Sequence, residues 1–265
     1  MASEKSGAGK EMSFWDHLEE LRGTVIRSAL AVVVMSVAGL VFKDFLFDVI
    51  ILGPTRSDFV VYRMLGWAFS MNLINVEISA QFFVHLKAAL GVGLVASFPY
   101  IIWEIWRFVK PALYDREIGP VRGAFALASL LFYCGVFVGY FFVLPVCLQF
   151  FMNYTVSEAV VNSITLNSYM SMFISMVLVI GIVFEFPTVI AVLSRLGAVS
   201  RGMLRKGRKY AFVTILVLAA IITPSDPFSM MVLALPLYLL YEFSILLCAK
   251  EEDDAQEDTA RLQEE

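Results

Sequence analysis

The residue whose chemistry stands out most in this sequence is a carboxylate, Glu185, inside a long apolar segment. Burying an ionised carboxylate in lipid costs at least about 2.5 kcal/mol, so Glu185 must be protonated, paired or in contact with water. We interpret it as a functional residue of an intramembrane pathway. The alternative is a neutral acid hydrogen-bonded to a backbone carbonyl that Pro187 leaves free. The sequence leaves three partners open for Glu185: Lys87, a Ser or Thr hydroxyl, and water.

Three further carboxylates, Glu19, Glu20 and Glu117, lie at the predicted edges of apolar segments. Taken alone, such residues are most simply explained as solvated surface charges. Their interpretation therefore depends on the segments in which they stand.

The sequence contains no recognisable catalytic, cofactor or metal site. Its two histidines, His17 and His85, are far apart and have no Cys or carboxylate at ligand spacing, which argues against zinc and haem. Segment 7–10 lacks the first glycine of a phosphate-binding loop, and Glu11 stands where that loop needs Ser or Thr. No Gly-x-Ser-x-Gly motif is present. We expect a protein that is not an enzyme, with no metal and no cofactor.

The elements that must position these carboxylates are membrane-spanning helices. Of the 265 residues, 59% are hydrophobic and 17% are charged, and the mean hydropathy is +0.77. A soluble domain keeps its apolar runs short and amphipathic, whereas several runs here are long enough to cross a bilayer. We therefore predict an all-α, polytopic integral membrane protein whose partner is the lipid bilayer, with no nucleic-acid partner.

The apolar runs predict six spans in one membrane domain, 13–249. It is flanked by a flexible cytoplasmic N-terminus, 1–12, and a disordered acidic cytoplasmic tail, 250–265. The predicted spans are 25–47, 82–106, 123–151, 169–196, 210–223 and 228–248. Ser13 is placed to cap a short interfacial helix that begins at Phe14 and leads into the first span. The fifth run covers only about 20 Å of a roughly 30 Å apolar layer, so the last two spans should form a short hairpin.

The distribution of basic residues predicts the orientation. Loops 153–168 and 224–227 contain no Lys or Arg, whereas two other loops are basic. The basic residues are Arg107, Lys110, Arg116 and Arg122 in one loop, and Arg195, Arg201, Arg205, Lys206, Arg208 and Lys209 in the other. Basic loops stay in the cytoplasm, so both termini are predicted to be cytoplasmic. Arg56 and Arg63, in the long first external loop, run against this rule.

Several segments together resemble the twin-arginine protein translocase receptor, the TatC family. Segment 17–22, His-Leu-Glu-Glu-Leu-Arg, resembles its N-terminal His-Leu-x-Glu-Leu-Arg signature, and segment 108–117, Phe-Val-Lys-Pro-Ala-Leu-Tyr-Asp-Arg-Glu, is similar to its first cytoplasmic loop. Segments 184–187, Phe-Glu-Phe-Pro, and 223–226, Thr-Pro-Ser-Asp, are similar to its fourth span and last external turn. The likeness covers 13–248 in order. Two positions depart from the family pattern: Thr24 replaces a frequent basic residue, with Arg27 one turn later, and Thr55 follows Pro54 where Leu is common.

The resemblance implies a receptor of concave shape in the bacterial inner membrane. Such a receptor binds signal peptides with paired arginines and moves folded proteins using the proton-motive force. It assembles with TatA- and TatB-type single-span subunits and self-associates. The resemblance implies that the residues that bind the signal peptide are Glu20, Glu117, Phe108, Arg22 and Glu19. It implies a functional role within the membrane for Glu185. It also implies structural roles for Pro54, Asp226 and Pro187, of which Pro54 and Asp226 support the external cap. Carboxylates suit this task because guanidinium groups pair with them through bidentate hydrogen bonds that Lys reproduces poorly.

Two other classes of function are considered. A proton-coupled small-solute secondary transporter would use Glu185 as its proton carrier, but such transporters commonly contain internal repeats, which this sequence does not show. A purely structural scaffold would need none of Glu20, Glu117 and Glu185 for export.

Overall fold

The computed structural model describes residues 14–67, 69–112, 115–157, 162–223 and 226–248, without the side chains at 14, 16, 112, 115–117 and 120. The predicted N-terminal segment 1–12, the capping residue Ser13 and the predicted tail 250–265 lie outside the described residues.

The described residues are mostly helical, because in lipid only a helix satisfies all backbone hydrogen bonds within one segment. The α-helices are α1 (Phe14–Val41), α2 (Lys43–Phe45), α3 (Val60–Leu65), α4 (Ala80–Val109), α5 (Asp115–Val138), α6 (Leu144–Asn153), α7 (Leu166–Ile174), α8 (Ile180–Val183), α9 (Phe186–Arg195), α10 (Arg201–Ile222) and α11 (Pro227–Leu247). Turns of 3-10 helix lie at Gly53–Thr55 and Lys110–Ala112, and π-helical turns lie at Leu46–Ile51, Gly139–Val143 and Ser175–Val179.

Five helical stretches among the described residues are long and apolar enough to cross a bilayer. They are His17–Val41, Ala80–Val109, Val121–Asn153, Leu166–Arg195 and Pro227–Leu247. The third joins α5 to α6 through a π-helical turn, and the fourth joins α7, α8 and α9. Helix α10 is 22 residues long, but it begins with the basic segment 201–209, so only 210–222 is apolar. With α10 as the sixth span, the chain is an all-α polytopic membrane protein. The first span ends at Val41, earlier than the predicted limit of 47, and passes into α2 and a π-helical turn.

Helix α10 differs from the sequence prediction at its basic end. Residues 201–209 were predicted as a loop, but they form the first turns of α10. The Ser200 hydroxyl caps the helix by accepting a hydrogen bond from the Met203 N–H at 3.1 Å. Charge at a helix N-terminus contributes only a few tenths of a kcal/mol to about 1 kcal/mol, so the cap and the apolar turns that follow outweigh the unfavourable basic residues.

Small residues let α1 and α4 pack closely along much of their length. A Cβ added at Gly93 would overlap the Ser36 side chain, and one at Gly39 would lie 3.4 Å from the Ala89 Cα. The Ser36 hydroxyl donates to the Val32 carbonyl within its own helix at 2.7 Å. Close contact of this kind fixes the register of α1 on α4, and the ends of both helices are therefore held in register as well.

The third and fourth spans cross at a second set of glycines. A Cβ at Gly139 would overlap the Met176 carbonyl oxygen, where the two π-helical turns meet. A Cβ at Gly135 would lie 2.7 Å from the Phe184 Cβ. This crossing places the break between α8 and α9, which carries Glu185, directly against α5.

The loop between α1 and α4 folds into a cap over one end of the bundle. Its strand β1 (Leu73–Ile74) pairs in parallel with β2 (Ile164–Thr165), which precedes α7. Tyr140 donates a hydrogen bond to the Ile50 carbonyl at 2.7 Å, and Tyr169 donates to the Ile51 carbonyl. The loop is therefore attached to the third and fourth spans through backbone carbonyls that would otherwise be unpaired.

Candidate functional site

The N-terminal turn of α1 lies against the last turn of α4. The His17 ring stacks on the Phe108 ring with centroids 4.4 Å apart and an interplanar angle of 23°. Glu20 follows His17 by three residues, so it projects from the same side of α1. Its side chain is half-buried, and its Oε2 has no hydrogen-bond partner among the described residues. The two helix ends together form a site with an aromatic stack and a buried carboxylate oxygen that has no partner among the described residues.

The neighbours of Glu20 in the sequence are placed differently. Glu19 and Arg22 are exposed, because a step of one or two residues turns a helix by about 100° to 200°. Glu117 lies in the first turn of α5, and its side chain is outside the described residues. Of the five residues predicted to contact a signal peptide, the structure therefore brings Glu20 and Phe108 to one place.

A buried ion pair that the sequence reasoning missed lies one turn from Phe108. Glu104 is fully buried. Its Oε2 accepts from Arg27 Nε at 2.8 Å, and its Oε1 accepts from the Tyr100 hydroxyl at 3.0 Å. A fully buried carboxylate must be paired in this way, because its desolvation otherwise costs several kcal/mol. Two features of the sequence could have indicated this pair. Glu104 is an acidic residue near the end of an apolar span, and Arg27 is a basic residue one turn after Thr24, the position where the family often has a basic residue.

The arrangement of Arg27 connects this pair to the site at Glu20. The Arg27 guanidinium lies back along α1 over Gly23, where an added Cβ would meet Nη1 at 3.0 Å. Its Nη2 also donates to the Thr24 hydroxyl at 3.3 Å. Glu20 lies two helical turns before Arg27, and Phe108 lies one turn after Glu104. The ion pair therefore joins the two helix ends that carry the site.

Glu185 lies at the interruption of the fourth span. Helix α8 ends at Val183, and Glu185 occupies the N-cap position of α9, with Pro187 in the first turn. The Glu185 Oε1 and the Thr188 hydroxyl, one turn further on, are buried and have no hydrogen-bond partner among the described residues. Lys87 instead donates to Asn167 at 3.3 Å. Among the described residues, Lys87 therefore pairs with Asn167 and forms no ion pair with Glu185.

The residues predicted to support the external cap have local roles. The Pro54 carbonyl accepts from the buried Tyr62 hydroxyl at 2.8 Å. Burial in the cap raises the pKa of Tyr62 well above its ordinary value. Asp226 caps α11, because its Oδ1 accepts from the Ser229 N–H at 2.6 Å. The predicted turn residues Pro224 and Ser225 lie outside the described residues.

The model of the Sec-independent protein translocase protein family (TatC) matches residues 16–236. The chain belongs to the TatC family. The TatC of a Blattabacterium strain from Periplaneta americana is 38% identical over 252 residues, covering 89% of this chain and 95% of the relative. The TatC of Escherichia coli K12 is 31% identical over 229 residues, covering 86% and 85%.

Two solved structures of the twin-arginine translocase receptor TatC are also similar. One has a TM-score of 0.71 and 32% identity, covering 87% of this chain and 97% of that one. The other, solved in the detergent DDM, has a TM-score of 0.75 and 32% identity, covering 88% and 99%. The resemblance seen in the sequence is thereby confirmed, and the chain functions in Sec-independent protein translocation as a multi-pass bacterial membrane protein. This family membership favours translocation over the small-solute transporter.

Proposed function

We propose that this chain is the receptor that binds paired-arginine signal peptides, and that the site is the junction of α1 and α4 around Glu20. The observation that supports it is the half-buried Glu20 carboxylate, with an unpaired Oε2, beside the stacked rings of His17 and Phe108. A signal arginine can form a bidentate pair with such a carboxylate, and the rings offer a flat surface to its guanidinium plane. Glu117 contributes a second carboxylate from the first turn of α5.

The proposed orientation places this junction in the cytoplasm together with both termini. Arg107 lies in the last turn of α4, Lys110 follows that helix, and Arg122 lies in the early turns of α5, so these basic residues gather at the same end of the bundle. The positive-inside rule assigns that end to the cytoplasm, where signal peptides arrive.

The proposed partners are TatA- and TatB-type single-span subunits, with further copies of this chain. Helix α10 offers a surface for such a partner, because apolar residues such as Val213, Val217 and Ile221 are exposed along it to lipid, where a single-span helix can pack. Docking along α10 and the short hairpin would cover these residues. The translocation step uses the proton-motive force and needs neither catalysis nor a cofactor. Glu185 acts in that step within the membrane.

The experiment that tests the site is photo-crosslinking of a twin-arginine signal peptide to Glu20→Gln, Glu117→Gln and double variants. A hydrogen bond to a charged group contributes about 1.5–3 kcal/mol, so loss of the Glu20 charge should lower signal affinity by roughly ten- to a hundredfold. Glu77→Gln is the control, because Glu77 is an exposed glutamate in the loop before α4, at the opposite end of the bundle. Undiminished crosslinking in the double variant would show that the site is wrong.

A reciprocal change tests the same pairing more strongly. Glu20→Arg should reject a paired-arginine signal and accept one whose arginines are replaced by glutamates. Recovery of crosslinking only in this matched combination would support direct charge pairing, whereas no recovery together with a folded variant would count against it.

A further inference from the structure

A cavity of about 510 Å³ lies between the end of α4 and the beginning of α5. Lys110 and Arg122 line it, and they are the only charged groups among its described lining residues. Both side chains are exposed, and neither forms an ion pair within the described part of the chain. The cavity therefore presents two cations to whatever enters it, and we expect its occupant to be anionic.

The lining changes from basic to apolar with depth. Arg122 is seven residues before Ser129, the deepest lining residue of α5, which corresponds to about 10 Å along the helix. Trp106 and Phe125 lie in contact between these levels, with ring centroids 5.3 Å apart. An occupant with a charged head and an apolar body matches this gradient.

Tryptophan marks this depth as the boundary between lipid and water. Trp103 and Trp106 both line the cavity, and Trp103 is 52% exposed. Indole rings prefer the headgroup level of a bilayer, where the apolar ring meets lipid and the N–H meets water. The two cations are therefore at the height of lipid phosphates.

The cavity lies on the other side of α4 from Phe108 and Glu20, which form the part of the proposed signal-peptide site whose side chains the structure describes. Trp106 lies two residues after Glu104 and two before Phe108, so at 100° per residue it projects from roughly the opposite side of α4. Glu104 and Phe108 face α1, whereas the cavity faces α5 and the surrounding lipid.

We propose that this cavity binds one anionic phospholipid from the leaflet at the basic end of the bundle. Its phosphate pairs with Lys110 and Arg122, and its glycerol and upper acyl chain lie against Trp106 and Phe125. Basic pockets between spanning helices are suited to such headgroups. A lipid fits better than an acidic peptide, because the apolar lining continues inward from the cations.

The test uses the two cavity tryptophans as reporters in full-length protein whose other tryptophans are removed by Trp15→Phe and Trp67→Phe. The protein is placed in phosphatidylcholine vesicles containing a small fraction of brominated phosphatidylglycerol, which quenches nearby indoles. Brominated phosphatidylcholine at the same fraction is the reference lipid. Each cation near an anionic headgroup contributes roughly a five-fold preference, so the two together should favour phosphatidylglycerol about 25-fold.

Lys110→Gln with Arg122→Gln should abolish the preference, while Arg107→Gln should preserve it, because Arg107 is exposed on α4 but does not line the cavity. Equal quenching by the two brominated lipids would overturn the proposal, as would an equal loss in Arg107→Gln. Loss of the preference on adding inorganic phosphate at constant ionic strength would assign the site to a free anion instead. Displacement by a soluble acidic peptide, but not by unbrominated phosphatidylglycerol, would assign it to a protein partner.

Discussion

Replacing Arg27, Glu104 or both should show how much of the free energy of unfolding comes from the ion pair and how much from each side chain alone. Glu104 is fully buried, while 39% of the Arg27 side chain is exposed. Two unit charges about 4 Å apart attract by about 4 kcal/mol at an effective dielectric constant of 20, and desolvation of the carboxylate offsets part of this attraction. The net contribution of the pair to stability is therefore smaller than its Coulomb energy. Breaking the pair nevertheless destabilises the protein, because it leaves the buried Glu104 charge without a partner.

The two single variants should have unequal effects. Arg27→Met leaves the buried Glu104 unpaired, and losing one partner of a buried pair costs about 3–5 kcal/mol. Because Arg27 is partly solvated, we expect the lower end, about 3 kcal/mol of unfolding free energy. Glu104→Gln leaves Arg27 able to reach water and keeps an acceptor for Tyr100, so it should cost about 1–2 kcal/mol.

The double variant completes the cycle. Arg27→Met with Glu104→Gln should cost less than the sum of the single changes, with a coupling energy of about 2 kcal/mol. Unfolding in mixed micelles of rising SDS content, followed by circular dichroism, measures these values. Arg22→Met is the matched control, since Arg22 is an exposed arginine of the same helix.

Signal crosslinking supplies the functional readout of the same variants. If the pair positions the ends of α1 and α4, Arg27→Met should weaken crosslinking at Glu20 even in conditions where the protein remains folded. A coupling energy below about 0.5 kcal/mol, or equal destabilisation by Arg22→Met, would refute the reasoning.

Two other predictions concern the helix crossing and the cap. Gly139→Ala should destabilise the protein by about 1–3 kcal/mol in the same unfolding assay, because its Cβ would overlap the Met176 carbonyl. Gly119→Ala should not, because a Cβ at Gly119 would meet no described atom within 4 Å. Burial raises the pKa of Tyr62 in the folded protein above its value in the unfolded chain. Above pH 10 the Tyr62 contribution to the free energy of unfolding should therefore fall by about 1.4 kcal/mol per pH unit. Tyr62→Phe should remove that part of the slope and cost about 1 kcal/mol at neutral pH through loss of the bond to Pro54. An unchanged alkaline slope would contradict this.

The membrane class, the number of spans and the family could all be predicted from the sequence. Apolar runs of membrane length are a local property, since each helix satisfies its backbone hydrogen bonds alone. The segments at 17–22 and 108–117 are equally local. The sequence prediction was wrong for 201–209, because positive charge and polarity were taken for a loop while the Ser200 cap was overlooked.

The pairing of residues distant in sequence was decided by the tertiary structure. Nothing in their spacing connects Glu104 with Arg27, 77 residues away, and their contact depends on the register that the small residues of α1 and α4 set. The same packing brings His17 onto Phe108 and turns Glu19 and Arg22 outward. The sequence by itself therefore determined which solvent the chain occupies and singled out Glu20, Glu117 and Glu185 among its carboxylates, whereas Glu104 was missed. Only the packed helices decided which of them are paired and which remain available, because pairing is a property of distance in space.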